Sequence, residues 1–156
     1  MKSKSRRQAR EAALQALYTL EVGRARLAET IKNGLEHCGL EGDQAEFMRS
    51  LVSGVFEKQI VLDELLAPLV TEWKFDRVAA IDRSVLRLAA YELYFCPDIP
   101  PVSSINEAIE LAKKFSTVDS GKFVNGVLGK LLPMSPKADW QAPQPTADAD
   151  STRADE

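Results

Sequence analysis

The residues best suited to chemistry in this chain are cations set beside aromatics. Arg6, Arg7 and Arg10 crowd the N-terminus, and Tyr18 follows. A planar guanidinium donates two parallel hydrogen bonds to a phosphate. A tyrosine near arginines can stack on an unpaired base while its hydroxyl bonds a phosphate. A second group repeats the theme. Lys113, Lys114 and Phe115 are followed by Asp119, Lys122 and Phe123. If a helix starts between them, its backbone N–H groups add to an anion site. Each aromatic also has a plainer role. Tyr18 reads equally as a core-edge ring, and Phe123 is spaced to be buried with Val127.

Catalytic constellations are harder to find. His37 is the only histidine, and its neighbour Cys38 is far in sequence from Cys96, the only other cysteine. Zinc needs about four such ligands, usually in close pairs, so no metal is expected and His37 is read as a surface or helix-end residue. Gly121-Lys122 fails as a phosphate loop, because Ser116 and Phe123 stand where Gly and Ser/Thr are required. Glu107 and Glu110 share a helix face, but Glu110 reads as an ordinary pair with Lys114. Without a base–nucleophile pair or a cofactor motif, an enzyme is the weaker class.

The elements that position these residues are helical throughout. A helix over 6–22, capped by Ser5, carries the stripe Ala13, Leu14, Leu17 and Leu20. At 100° per residue, Arg6 and Arg10 continue that stripe, so the first turns should project beyond the core toward solvent or a polyanion. Arg7 and Tyr18 share another face, about 16 Å apart at the helical rise. Leu27, Ile31 and Leu35 mark a second helix ending near Gly39. Asp43 and Glu46 signal the cap of a segment over 44–70, either one helix or two, with Pro68 near its end. Residues 77–95 are the most apolar, with Ile81, Val85, Leu88, Ala89 and Phe95 on one arc, until Pro97, Pro100 and Pro101 break them. Ser104 and Glu107 form a capping box for 105–116. Asp119 caps a last helix in which Phe123, Val127, Leu128 and Leu131 face inward, with close packing at Gly126. Glu92 falls in the apolar arc and therefore needs donors, expected from Ser103 to Asn106. The fold class is all-α: one compact bundle of about six or seven helices over residues 1–132, then a disordered Pro- and Asp-rich tail over 133–156.

The 156 residues carry a net charge of -3, which argues at first against nucleic acid. The charge is segregated, however. Residues 1–10 hold five bases and no acid; residues 11–112 hold 9 bases against 17 acids; residues 113–132 hold four lysines against Asp119. The tail, with two bases and five acids, accounts for the whole net charge. Two basic segments thus flank an acidic middle, although the first ten residues would also serve as a solvated helix end. Two cysteines and a polar N-terminus suggest a cytoplasmic protein without a secretory signal, and no apolar run is long enough for a membrane.

Four blocks together resemble the bacterial transcription antitermination NusB family. They are Arg6-Arg7-Gln8-Ala9-Arg10-Glu11-Ala12-Ala13-Leu14-Gln15-Ala16-Leu17-Tyr18, the segment Ile81 to Leu93, the segment Ile105 to Lys113, and Lys122-Phe123-Val124-Asn125-Gly126-Val127-Leu128. They cover about residues 6–132 in order. The resemblance implies a non-enzymatic, cofactor-free, all-helical RNA-binding protein. It would pair with the ribosomal protein NusE and bind single-stranded boxA RNA of nascent ribosomal transcripts. With NusA and NusG on RNA polymerase, it would suppress termination. The RNA-contacting group it implies is Arg6, Arg7, Arg10, Tyr18, Phe115, Asp119, Lys122 and Phe123, with Asp82 on the NusE side. A homodimer occluding the RNA face stays open, as does a protein-binding adaptor without RNA. A NusB-like domain also precedes some RNA cytosine methyltransferases, but no nucleotide-cofactor domain is expected in this chain.

Overall fold

The computed structural model describes residues 2–71 and 74–141, with side chains from residue 6 onward. Among these are six α-helices: α1 Lys2–Val22, α2 Leu27–Cys38, α3 Gly42–Leu66, α4 Ala80–Phe95, α5 Pro101–Phe115 and α6 Val118–Leu131. Three short 3₁₀ turns cover Ala67–Leu69, Phe75–Arg77 and Leu132–Met134.

The helix α4 runs through the centre and packs on α1, α3, α5 and α6. It is buried nearly all round, from Ser84 and Val85 through Leu86, Leu88, Ala89, Ala90 and Leu93, as a central helix must be. Around it, Leu14, Met48, Leu51, Leu62, Leu66, Leu128 and Leu131 are fully enclosed. Each such leucine contributes about 1.5–3 kcal/mol of transfer free energy. Packing is closest at Gly54. A Cβ built there would lie 2.1 Å from the Tyr91 ring, so the ring rests on the α3 backbone. Gly39 ends α2 at φ 64°, a left-handed value that glycine adopts without steric cost.

The all-α bundle agrees with the periodicity, but the helix starts do not follow the expected caps. Ser5 lies inside α1, not before it. Glu41, not Asp43, precedes the first turn of α3, which runs unbroken to Leu66; Pro68 falls in the following 3₁₀ turn. The helix α5 begins at Pro101, because a fixed φ and a missing N–H cost nothing in a first turn. That start puts Ser104 and Glu107 inside the helix and frees both side chains for contacts elsewhere. Thr117, not Asp119, caps α6, accepting from the Ser120 N–H at 3.0 Å. Of the expected inward face of α6, Val127, Leu128 and Leu131 are buried and Phe123 is only partly so. Gly126 is exposed with nothing within 4 Å of a Cβ; the close approach on α6 is at Gly121, 2.7 Å from Cγ of Lys113.

The chain after 132 also differs from the expected disordered tail in its first part. Residues 133–141 are placed against the body. Lys137 is 4% exposed, and its Nζ donates to the carbonyls of Glu92, Cys96 and Ile99. An ammonium has three donors, and here they satisfy acceptors at and beyond the C-terminal end of α4. Burial lowers the Lys137 pKa from its ordinary value. Trp140 adds a hydrogen bond from Nε1 to the Pro97 carbonyl. Residues 142–156 lie outside the described residues.

Candidate nucleic-acid interface

The two basic segments meet along α5. Arg7 and Lys114 line the same cavity of about 170 Å³ between α1 and α5, together with Glu11, Glu107 and Glu110. Lys113, one residue earlier, closes over Gly121 at the start of α6. A rim of cations interleaved with carboxylates therefore runs from α1 over the end of α5 to Lys122.

The members of this rim are bound to very different degrees. Arg10 does not project into solvent as its helical position suggested. It is 4% exposed, and its Nε and Nη2 each lie 2.8 Å from the Glu92 carboxylate. Ser104 Oγ completes the arrangement by donating to Glu92 Oε1 at 2.7 Å. The expected donor region for Glu92 is thus correct, while Arg10 is the partner that sequence spacing missed. Arg10 is committed internally and drops out of the accessible RNA-contacting group.

Arg7 stays exposed but donates to both oxygens of Glu107, the nearest at 2.7 Å. The hydrogen bond and charge of Glu107 raise the Arg7 pKa above its ordinary value. Arg6 is exposed and lies 5.2 Å from the Phe47 ring centroid, with Arg10 at 5.4 Å from the same ring. Phe47, on α3, therefore lies against both guanidinium groups. Lys114 pairs with Glu11 at 2.8 Å, not with Glu110; Glu110 is 3.6 Å from Lys113 instead. Both of these contacts are exposed and are worth at most about 1 kcal/mol.

On α6 the picture changes. Lys122 and Lys130 are exposed and form no ion pair among the described residues. Asp119 is exposed in the first turn, where a carboxylate is favoured by the helix dipole. Phe115 and Phe123 are half-buried, each packed on the core. Tyr18 is 38% exposed. Asp82 is placed otherwise than expected for a partner-facing side chain. It is 8% exposed, and its Oδ2 accepts from Ser120 Oγ at 2.9 Å, joining α4 to α6. Ser120, itself buried, covers it from α6.

At the other end of α1, Glu21 accepts from Arg83 and Arg87, and Arg87 also grips Asp63 at 2.7 and 2.9 Å. This cluster ties α1, α3 and α4 together. His37 is exposed in the last turn of α2. Burial, and next the Glu92 charge, push the Cys96 thiol up to about 11, so it is an unreactive group at neutral pH.

Fold and surface define an all-helical protein whose exposed chemistry is a row of cations and carboxylates with half-buried aromatics beside it. The family model described as the NusB family matches residues 7–133. Transcription antitermination protein NusB of Pelotomaculum thermopropionicum is 42% identical over 128 residues, 82% of this chain and 89% of that protein. The Bacillus subtilis protein of the same name is 47% identical over 126 residues, 81% of this chain and 93% of its own. Among solved structures, T. maritima NusB superposes with a TM-score of 0.76 at 37% identity, covering 88% of this chain and 93% of that one. Antitermination factors NusB and NusE in complex with dsRNA give 0.78 at 26% identity, covering 84% and 98%. This chain belongs to the NusB family of transcription antitermination proteins, which are not enzymes.

Proposed function

We infer that this chain binds single-stranded boxA-type RNA together with NusE, and that the pair joins NusA and NusG on RNA polymerase to resist termination. The observation that carries the RNA reading is the unpaired Lys122 beside the half-buried Phe123, continuous through Lys113 with the Arg7 side of the rim. A lysine there neutralises a phosphate while an aromatic edge takes a base. A solved relative in complex with NusE and dsRNA supports NusE and RNA as the ligand classes. Arg6, Arg7, Tyr18, Phe115, Asp119, Lys122 and Phe123 are the proposed contacts.

Arg7 has to exchange Glu107 for phosphate when RNA arrives. That exchange lowers the affinity of the chain alone and leaves room for a gain when NusE binds. The test is anisotropy of a labelled boxA-type RNA across salt concentrations, with and without NusE. The expected result is a log–log salt slope of about -0.7 per phosphate contacted, and tighter binding with NusE. A flat salt response, or equal binding of scrambled RNA, refutes the reading.

One observation favours a second reading, a protein-binding adaptor without RNA: two of the three N-terminal arginines already have carboxylate partners. On that reading NusE binds and no RNA crosslinks to Tyr18.

A further inference from the structure

We propose that the exposed face of α3 around Ile60, with the cleft it borders between α1 and α3, docks a basic amphipathic segment of a partner protein.

Phe56 and Ile60 stand one turn apart on α3, yet they are 49% and 76% exposed. Side chains three and four apart share a helix face. Glu57 and Glu64 lie three before and four after Ile60, and both are exposed. Neither forms an ion pair among the described residues. Lys58, the one cation in that stretch of sequence, lies over the Phe95 ring instead, 5.4 Å from its centroid. An apolar pair bracketed by unneutralised carboxylates fits a segment that brings an apolar stripe with Lys or Arg beside it.

Phe56 also walls a cleft of about 250 Å³. Leu17 and Leu20 of α1, Val55 of α3 and Ser84 of α4 line it. Leu17, Val55 and Ser84 are buried, so the core fixes the floor. Glu21 and Arg87, also at the cleft, are already paired with each other. The Ser84 Oγ is different: it is buried and has no hydrogen-bond partner. A buried hydroxyl left unpaired is unfavourable, and the protein by itself offers it nothing. The cleft therefore suits an anchor with an apolar body and a polar tip, of which tyrosine is the natural form.

This surface is distinct from those already described. No proposed RNA contact lines the cleft, and Glu57 and Glu64 repel phosphate. Ser84 sits about 200° round α4 from Asp82 at 3.6 residues per turn, so the cleft and the α6 contact of Asp82 occupy opposite sides of that helix. A second copy of this chain is a poor occupant. Two such faces meeting about a two-fold axis would set acids against acids.

The test uses the full chain and a labelled synthetic helical peptide whose leucine and tyrosine stripe is flanked by lysines, read by anisotropy. Binding should weaken as salt rises. A peptide with glutamates for the lysines should bind at least about tenfold more weakly. Ile60→Lys, and Glu57→Lys with Glu64→Lys, should each weaken the lysine peptide by about tenfold. All three positions are exposed, and circular dichroism checks that the variants fold. Glu41→Lys with Asp43→Lys, at the other end of α3, should leave binding unchanged. Phenylalanine for the peptide's tyrosine should weaken binding by about two- to tenfold in the unmodified chain and not at all in Ser84→Ala. An equal loss for the Glu41 and Asp43 variant would reduce the face to general charge attraction and overturn the proposal. Unchanged binding by Ile60→Lys, or equal binding of the tyrosine and phenylalanine peptides, overturns it too. So does a dimer in light scattering that Ile60→Lys dissolves, which would assign the face to a second copy.

Discussion

The N-terminal arginines and the α6 lysines look like two versions of one basic motif, yet the fold uses them in opposite ways. Arg10 is enclosed against Glu92 and Ser104 and joins α1, α4 and α5. Lys122 and Lys130 are exposed on α6 without ion-pair partners. Arg7 is intermediate, exposed but already engaged by Glu107. Arginine suits the interior role because its fork satisfies a carboxylate bidentately and is weakly hydrated. Lysine suits the rim, where a strongly hydrated charge keeps its water until a phosphate replaces it. Positive charge in a sequence thus separates into charge that builds the surface and charge that the surface presents.

The contrast breaks most visibly in stability. Arg10→Ala leaves Glu92 buried without its cation and should cost about 3–5 kcal/mol in urea unfolding followed by circular dichroism. A loss under about 1 kcal/mol would mean that Arg10 is not structural. Lys137→Ala removes the donor to the Ile99 carbonyl, while those of Glu92 and Cys96 keep a backbone N–H, and should cost about 1–3 kcal/mol in the same assay. Arg7→Ala should change stability far less than Arg10→Ala, since its pair with Glu107 is exposed on the arginine side and screened by water. The smallest stability effect is expected for Lys122→Ala, within about 0.5 kcal/mol, while RNA binding weakens and its salt slope falls by about 0.7. Equal stability losses for Arg10→Ala and Lys122→Ala would erase the distinction.

A pH titration sharpens the buried side of the comparison. Cys96 holds its proton more tightly folded than unfolded, from an ordinary 9.0 to about 11. Its contribution to stability is therefore complete below pH 9 and is lost as pH rises through about 11. In a Cys38→Ser background, thiolate absorbance should appear only toward that upper value. Titration near 9 would place the thiol in water.

Much of the fold was legible because its signals are local. Apolar spacing located every helix, Gly39 ended α2, and the prolines near 100 separated α4 from α5. Caps were misread at Ser5, Asp43, Ser104 and Asp119, because a residue at the second or fourth position of a helix carries the same short pattern as a true cap. The need of Glu92 for donors was legible from its apolar surroundings, and Ser104 from its nearness in sequence. Arg10, 82 residues away, was not.

The sequence alone determined an all-helical chain with basic ends around an acidic middle, because helix periodicity and charge runs are properties of neighbouring residues. Only the tertiary structure decided which cations remain available. That depends on which distant carboxylate each one meets: Glu92 and Glu107 take Arg10 and Arg7, and no acid reaches Lys122 or Lys130 among the described residues.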